Sequence, residues 1–492
     1  MDLITWIVAG FIILVFYLLL RGPNPRLPPS PVRPLPVVGH LMHLKADLRS
    51  QFREWAEQCG DMFSLYMGGS LVVVLNGYDV IKEAMVKKGD LMSDRPPVFI
   101  DQISGLSQKG IVFSNGQLWK EQKSVCLSIL RSFGMGKNLL AEKIQEEVDC
   151  FMTYLASLEG NPTDIHLHTG VVISNIICSI LIGNRFDYDD EKFQDLLQKL
   201  NRVLEDQSSI SLVNFFPWLR KLPGDLFKAK RMSENMLAIR NVFVNFLQEK
   251  KRNVDDSDEV LNFIDAYLKE KKKKTKPGES TTLDDQNLIK DMMDLFGGGT
   301  ETTTSTIYWC ILYLLNNPQV QDKVYSEIKD VIGSDRTPTM QDKGNLKYLN
   351  AVIMETERLA NIIHLAVPHM CTNEVTLRGY ILPKGTTVCL NLDSVLHDKA
   401  TWGEDALNFC PERFIDSHGR VQIPKQFIPF GIGHRICIGE AMAKMVLFLC
   451  LASMFQKFKF LPSNPHSIPP IEYHCGGVVS PKPYKVRVVA RQ

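Results

Sequence analysis

Ten residues near the C-terminal end constrain this chain more than any other stretch: Phe430-Gly431-Ile432-Gly433-His434-Arg435-Ile436-Cys437-Ile438-Gly439. A single thiol follows a glycine-rich turn and precedes an apolar run, Gly439 to Phe458, that reads as a helix. Gly431 and Gly433 permit backbone conformations that other residues resist. Such a turn can aim several N–H groups at one sulfur, and the sulfur lies near the positive end of the helix. Both favour a thiolate over a thiol. Arg435 adds a positive charge nearby. On average residue usage, Phe430, Gly433, Arg435, Cys437 and Gly439 coincide by chance in about one of several million windows. An isolated cysteine reads as a small buried hydrophobe. This frame reads as a thiolate held against a metal.

The stretch resembles the haem-binding loop of the cytochrome P-450 superfamily. The resemblance implies a mainly α fold with small β-sheets, and haem b (iron protoporphyrin IX) as cofactor. It makes Cys437 the axial iron ligand and places Arg435 beside a haem propionate, with Phe430, Gly431, Gly433 and Gly439 shaping the loop. Thiolate ligation pushes electron density onto the iron and favours O–O cleavage.

Size and composition agree with a large globular body. The chain has 492 residues, 45% of them hydrophobic, and a net charge of +1. No global field argues for nucleic acid. Length alone suggests about three domains, yet no linker separates them. The eleven cysteines include no Cys-x-x-Cys pair. A disulfide framework or zinc site is therefore not expected, and a reducing compartment fits.

The N-terminus departs from that body. Leu3 to Leu20 carries no charge, and as a helix it spans roughly 27 Å, close to the hydrocarbon thickness of a bilayer. A cleaved signal peptide is the alternative, but Asp2 precedes the run and Arg21-Gly22-Pro23 follows it, flanks that favour a retained anchor. Arg21, Arg26 and Arg33 put the bulk of the protein on the cytosolic side. Prolines from Pro28 to Pro36 stiffen the next segment. The expected organisation is an anchor over 1–21, a proline-rich hinge over 22–39 and a catalytic domain over 40–492. Ser30 stands where the family hinge usually has glycine. Asn391 to Asp398 resembles the microsomal animal branch, especially its second family, which implies a single-pass protein of the endoplasmic reticulum membrane. The resemblance covers essentially the whole chain.

Phe63 to Leu75 reads as strands around a Gly68-Gly69 turn. Helical periodicity follows over Leu118–Ile129, Asn138–Leu158, Thr169–Ile182, Glu191–Glu205, Lys228–Lys251, Glu259–Glu270, Asp285–Asn316, Val320–Ile332 and Leu346–Leu359. Val375 to Leu390 and Tyr473 to Val489 read as short extended pieces. The charge run Lys271 to Lys274 reads as a solvated loop, with a membrane contact as the alternative.

Gly297-Gly298-Gly299-Thr300-Glu301-Thr302-Thr303-Thr304 sits inside a helical pattern that glycine and threonine both weaken. A threonine hydroxyl can bond back to a carbonyl one turn earlier. The segment alone reads equally as a kinked core helix. By resemblance it is the oxygen-activating helix. There Glu301 and Thr302 deliver protons through water, while Gly298 and Gly299 leave room for dioxygen.

Glu355 and Arg358 share a helix face, and alone they read as a surface pair. The family joins such a pair to an arginine of a Pro-Glu-Arg-Phe motif, here Arg413, in a structural triad beneath the haem. Trp119 and Lys123 resemble the family's Trp-x-x-x-Arg propionate motif, with lysine in place of arginine. Lysine supplies the charge but not the bidentate fork. His369 matches another propionate-side position. His364 stands where relatives usually carry proline and is expected to point toward the substrate.

The function implied is insertion of one oxygen atom from dioxygen into a lipophilic substrate: a fatty acid, steroid or foreign compound. Electrons come from NADPH through a separate flavoprotein reductase, since no glycine-rich stretch has the G-x-G-x-x-G frame after a strand. The resemblance further implies membrane lipid and cytochrome b5 as partners. Lys120, Lys123, Lys137 and Lys444 are expected to face the reductase. By resemblance the pocket takes Phe99, Ile100, Val112 and Phe113 from one segment. It takes Asp294 and Gly298 from the long helix, and Ile363, His364, Ala366, Val367 and Val478 from later segments. Two rivals remain: a reductase-independent isomerase or dehydratase, and a haem-binding membrane protein without turnover.

Overall fold

The computed structural model describes residues 24–491 except 46, 136–137, 253–259 and 276–279. The expected anchor over 1–21 and Lys137 lie outside the described residues. Among the described residues, no helix is long and apolar enough to cross a membrane. The proline-rich stretch is fastened down. The Ser64 N–H and hydroxyl donate to the Pro29 and Pro28 carbonyls, each at 2.8 Å, and the Ile381 N–H donates to the Arg26 carbonyl at 2.8 Å.

The architecture is mainly α with small sheets. In chain order the principal elements begin with α1 (Leu48–Cys59), β1 (Met62–Met67) and β2 (Ser70–Asn76). Helices α2 (Gly116–Ser132), α3 (Asn138–Ser157), α4 (His166–Leu181), α5 (Glu191–Glu205) and α6 (Gln207–Phe215) follow. Then come α7 (Ala229–Arg252), α8 (Phe263–Lys274), α9 (Asp285–Asn316), α10 (Pro318–Val331) and α11 (Lys347–Ala360). Strands β3 (His369–Met370), β4 (Val375–Leu377), β5 (Tyr380–Leu382) and β6 (Thr387–Asn391) precede α12 (Glu440–Lys457). Strands β7 (Phe458–Pro462), β8 (Tyr473–Cys475), β9 (Val479–Pro481) and β10 (Val486–Ala490) finish the chain.

Local chemistry starts the helices where the pattern expects them. Asp190 caps α5 by accepting from the Lys192 and Phe193 N–H groups, and Asp284 caps α9 through the Asn287 N–H. Helix α8 departs from expectation. It begins at Phe263, after an Asn262 cap, and continues through the lysine run expected as a loop. Lys271 pairs with Asp285 at 3.1 Å and Lys274 with Glu121 at 3.4 Å. Four cations in a last turn are favoured there by the helix dipole. Helices α1 and α6 and strand β7 lie outside the segments that the sequence pattern singled out.

Two long-range features position the site. Strand β2 pairs in parallel with β6, with Val72 opposite Thr387, and β3 pairs antiparallel with β6, setting His369 opposite Val388. The N-terminal and C-terminal halves are thus stitched together beside the cysteine loop. Helix α9 runs through the main core, and every residue from Thr303 to Leu315 is buried. An apolar stretch enclosed on all sides is a core helix. Its earlier part opens on a cavity.

Candidate active site

A cavity of about 640 Å³ lies between α9 and the cysteine loop. The loop is built from two glycines at φ of +79° and +85°, Gly431 and Gly433. At Gly433 a Cβ would stand 2.2 Å from the Met85 carbonyl oxygen, so only glycine fits. The Cys437 N–H donates to the Phe430 carbonyl at 3.0 Å and closes the loop. Helix α12 starts just beyond, with Gly439 in the capping position. The sulfur accepts from the backbone N–H groups of Gly439 and Glu440. Burial pushes this thiol up, and those two donors pull it back toward the thiolate. Cys437 keeps accessible surface, but it is the surface of the cavity that the residue lines.

Gly298, Gly299 and Thr302 also line the cavity. Thr302 Oγ1 donates to the Gly298 carbonyl one turn back, at 2.6 Å. A Cβ at Gly298 would meet nothing within 4 Å, whereas one at Gly299 would stand 2.7 Å from Ile177 Cδ1. Glu301 does not share this wall. Successive helical residues point about 100° apart, and the Glu301 carboxylate turns to α4. It accepts from Ser305 Oγ at 2.9 Å and lies 3.3 Å from His166 Nε2. The adjacent acid and alcohol therefore face different surroundings.

Basic groups gather at one edge. The Arg435 guanidinium lies 3.8 Å from the centre of the Trp119 ring and donates to the Ser93 and Ser114 carbonyls at 2.7 and 2.6 Å. Burial draws it down to about 9. Lys123 donates to the His434 carbonyl and lies 5.2 Å from the same ring. His369 Nδ1 bonds the Met92 carbonyl at 2.9 Å. Arg95, which no sequence pattern singled out, donates to the Val367 and Pro368 carbonyls. Burial lowers Arg95, Lys123 and His369 as well, and the charge of Arg435 lowers all three further. Mutually repelling bases around one cavity fit a ligand with more than one carboxylate. Together with a thiol aimed into the same space, this fits haem: Cys437 would hold the iron, and the four bases would hold its propionates.

Glu355 and Arg358 are fully buried. Arg358 donates to both carboxylate oxygens at 2.6 and 2.7 Å, and to the Leu396 and Ala406 carbonyls at 2.7 and 2.8 Å. Arg413 Nε reaches Glu355 Oε1 at 3.3 Å, and the Cys410 N–H donates to the same oxygen at 2.9 Å. The three residues meet as one polar cluster, and Trp402 closes it, 5.2 Å from Arg358.

Of the pocket residues expected by resemblance, Ile100, Val112, Phe113, Asp294, Gly298, Ile363, Ala366, Val367 and Val478 line the cavity. Phe99 and His364 do not. Phe99 packs in the main core, and its N–H donates to Asn214 Oδ1 at 2.7 Å. His364 turns instead toward a second buried ion pair, Arg49 with Asp393 at 2.6 Å, and burial holds it down at about 4. That ion pair went unseen in the sequence because its partners are 344 positions apart. Glu357 also went unseen. It lines the cavity, its two carboxylate oxygens lack a partner among the described residues, and burial raises it to about 8. Of the lysines expected to meet a partner, Lys120 is exposed, Lys444 pairs with Glu440 at 2.6 Å, and Lys123 belongs to the basic edge.

A family model described as cytochrome P450 matches residues 28–488. Cytochrome P450 2U1 of Mus musculus is 37% identical, covering 94% of this chain and 91% of that protein. Cytochrome P450 2J1 of Oryctolagus cuniculus is 37% identical, covering 98% and 95%. Cytochrome P450 2C3 of the same species is 37% identical, covering 94% of each chain.

Proposed function

The chain belongs to the cytochrome P450 family, a haem-binding monooxygenase family, and on that premise we propose that it is a membrane-anchored enzyme inserting one oxygen atom from dioxygen into a lipophilic substrate. The observation that carries this reading is a single cavity lined at once by Cys437, by the basic edge and by Gly298, Gly299 and Thr302.

Haem at this site supplies dioxygen binding and O–O cleavage, which a cysteine thiolate ligand favours. The loop N–H groups hold the Cys437 sulfur as an acceptor. Arg95, Lys123, His369 and Arg435 would hold the propionates. Thr302 Oγ1 donates to Gly298, so its oxygen is left to accept a hydrogen bond from a cavity water, and a turn of the hydroxyl can pass its own proton inward as that water replaces it. The Glu301 carboxylate, turned from the cavity, is held by Ser305 and His166. Apolar side chains such as Ile100, Phe113 and Val478 exclude water and suit a fatty acid, steroid or foreign compound.

NADPH-derived electrons arrive from a separate flavoprotein reductase, with cytochrome b5 as a second donor, on the cysteine side where Lys120 and Lys444 lie. Residues 1–21 anchor the protein in the endoplasmic reticulum membrane, and the proline-rich segment orients the catalytic domain on the cytosolic face.

The test is a difference spectrum of the reduced, carbon-monoxide-bound protein followed by turnover with and without reductase. A strongly red-shifted Soret band lost in Cys437→Ser, and product formed only with NADPH and reductase, are the expected results. Peroxide rearrangement without reductase would instead favour an isomerase or dehydratase.

A further inference from the structure

One charged group intrudes into the apolar part of the cavity. Lys290, on α9, lines it and is itself only 5% exposed. Its ammonium lies 3.3 Å from Asp101 Oδ1 and 3.2 Å from Asp294 Oδ1. It also stands 5.7 Å from the centre of the Phe113 ring, another wall of the same space.

We propose that Lys290 is a substrate-recognition residue that takes a neutral hydrogen-bond acceptor, a ketone, ester or hydroxyl oxygen, on an otherwise apolar molecule. The inference rests on the reading of this cavity as the substrate site. An ammonium has three donors, and two carboxylate oxygens lie within ion-pair distance of this one. Held by two buried carboxylates that are themselves tied down, the head group is fixed rather than mobile. Asp101 Oδ2 accepts from Ser107 Oγ and the Gln108 N–H at 2.9 and 2.8 Å; Asp294 Oδ2 accepts from the Ile111 and Val112 N–H groups, each at 3.0 Å.

Charge decides the class of ligand. One lysine and two aspartates already leave a negative excess, so a carboxylate would enter as a third anion in a poorly screened space. An amine would bring a second ammonium against Lys290. A neutral oxygen carries neither cost. Lys290 and Gly298 are eight residues apart on one helix, roughly 12 Å along its axis. The acceptor therefore belongs at one end of an elongated substrate and the oxidised carbon toward the other.

Equilibrium dialysis of the haem-loaded protein with methyl laurate, laurate and the alkane of the same chain length tests this. The ester is expected to bind about tenfold more tightly than the alkane, as a hydrogen bond to a charged group implies, and more tightly than laurate. Lys290→Met should bring ester and alkane within about twofold of each other. Asp101→Asn should raise the affinity for laurate relative to the ester. Equal binding of all three, a preference for laurate in the wild type, or an ester advantage surviving in Lys290→Met overturns the inference. Should Lys290→Met not fold, the Asp101→Asn comparison decides: no gain for laurate overturns it. If none of the three ligands binds, the assignment of the cavity to lipophilic substrates falls as well.

Discussion

His166 Nε2 and Glu301 Oε1 meet at 3.3 Å across the contact between α4 and α9. The pair fixes the direction of the one acidic side chain beside Thr302. It draws the carboxylate away from the cavity and toward a half-buried imidazole, with Asp164 and Glu205 adding negative charge around the ring.

This contact has a pH signature. Burial opposes charge on His166, but the hydrogen bond and charge of Glu301 outweigh it and hold the imidazole above its ordinary value of 6.5. A raised folded-state value stabilises the protein fully below that ordinary value, and the contribution is lost as pH rises through the raised one. Thermal melts between pH 5 and 9, roughly, should therefore show a loss as pH rises above that ordinary value, which His166→Gln flattens. Parallel curves for the two proteins would show that the pair does not titrate as described.

Asp393 works in the opposite sense. Burial alone would raise its carboxyl, yet Arg49 holds it well below the usual 3.8. A depressed value stabilises the protein above about pH 4 and is lost as pH falls through it. Asp393→Asn is expected to weaken the protein at neutral pH and to reduce its further loss on acidification. Denaturant midpoints at a series of acidic pH values measure both.

Removing one partner of a buried ion pair costs about 3–5 kcal/mol, while an exposed pair is worth about 1 kcal/mol or less. Glu355→Gln leaves Arg358 in the core with its fork unmatched, so the larger cost applies, together with loss of haem incorporation. Arg420→Ala, at an exposed pair with Asp416, should cost no more than the smaller amount. Urea melts of the two variants, with porphyrin absorbance recorded alongside, make the comparison.

Two glycines should behave in opposite ways. Gly433→Ala forces a Cβ to 2.2 Å from the Met85 oxygen at a φ of +85°, and the loop must move. A cost above about 2 kcal/mol and loss of the cysteine's setting are expected. Gly298→Ala meets open space and improves a helix interior, for a gain of about 0.5–1 kcal/mol, while narrowing the cavity. Melting temperatures should fall for the first and rise for the second.

Much of the fold was legible because it is local. Helices such as α5 and α9 announce themselves by an aspartate cap and an apolar stripe, and the glycine turn before Cys437 carries its own geometry. The lysine run misled because charge alone reads as loop, whereas position in a last turn makes it helix. Arg95, His364 and Glu357 were missed or misplaced for another reason. Each takes its meaning from a neighbour brought in from elsewhere: the Val367 carbonyl, the Arg49–Asp393 pair, the cavity wall.

By itself the sequence determined the thiol loop, the helical frame and the family to which they belong, because short-range periodicity and backbone freedom are written in consecutive residues. Only the tertiary structure decided which way adjacent side chains look. It sent Thr302 into the cavity and Glu301 to His166, buried the Glu355 cluster, and left Lys290 with a donor to spare. Those outcomes depend on packing between elements remote in the chain, where burial turns an ordinary charge into one that must find a partner.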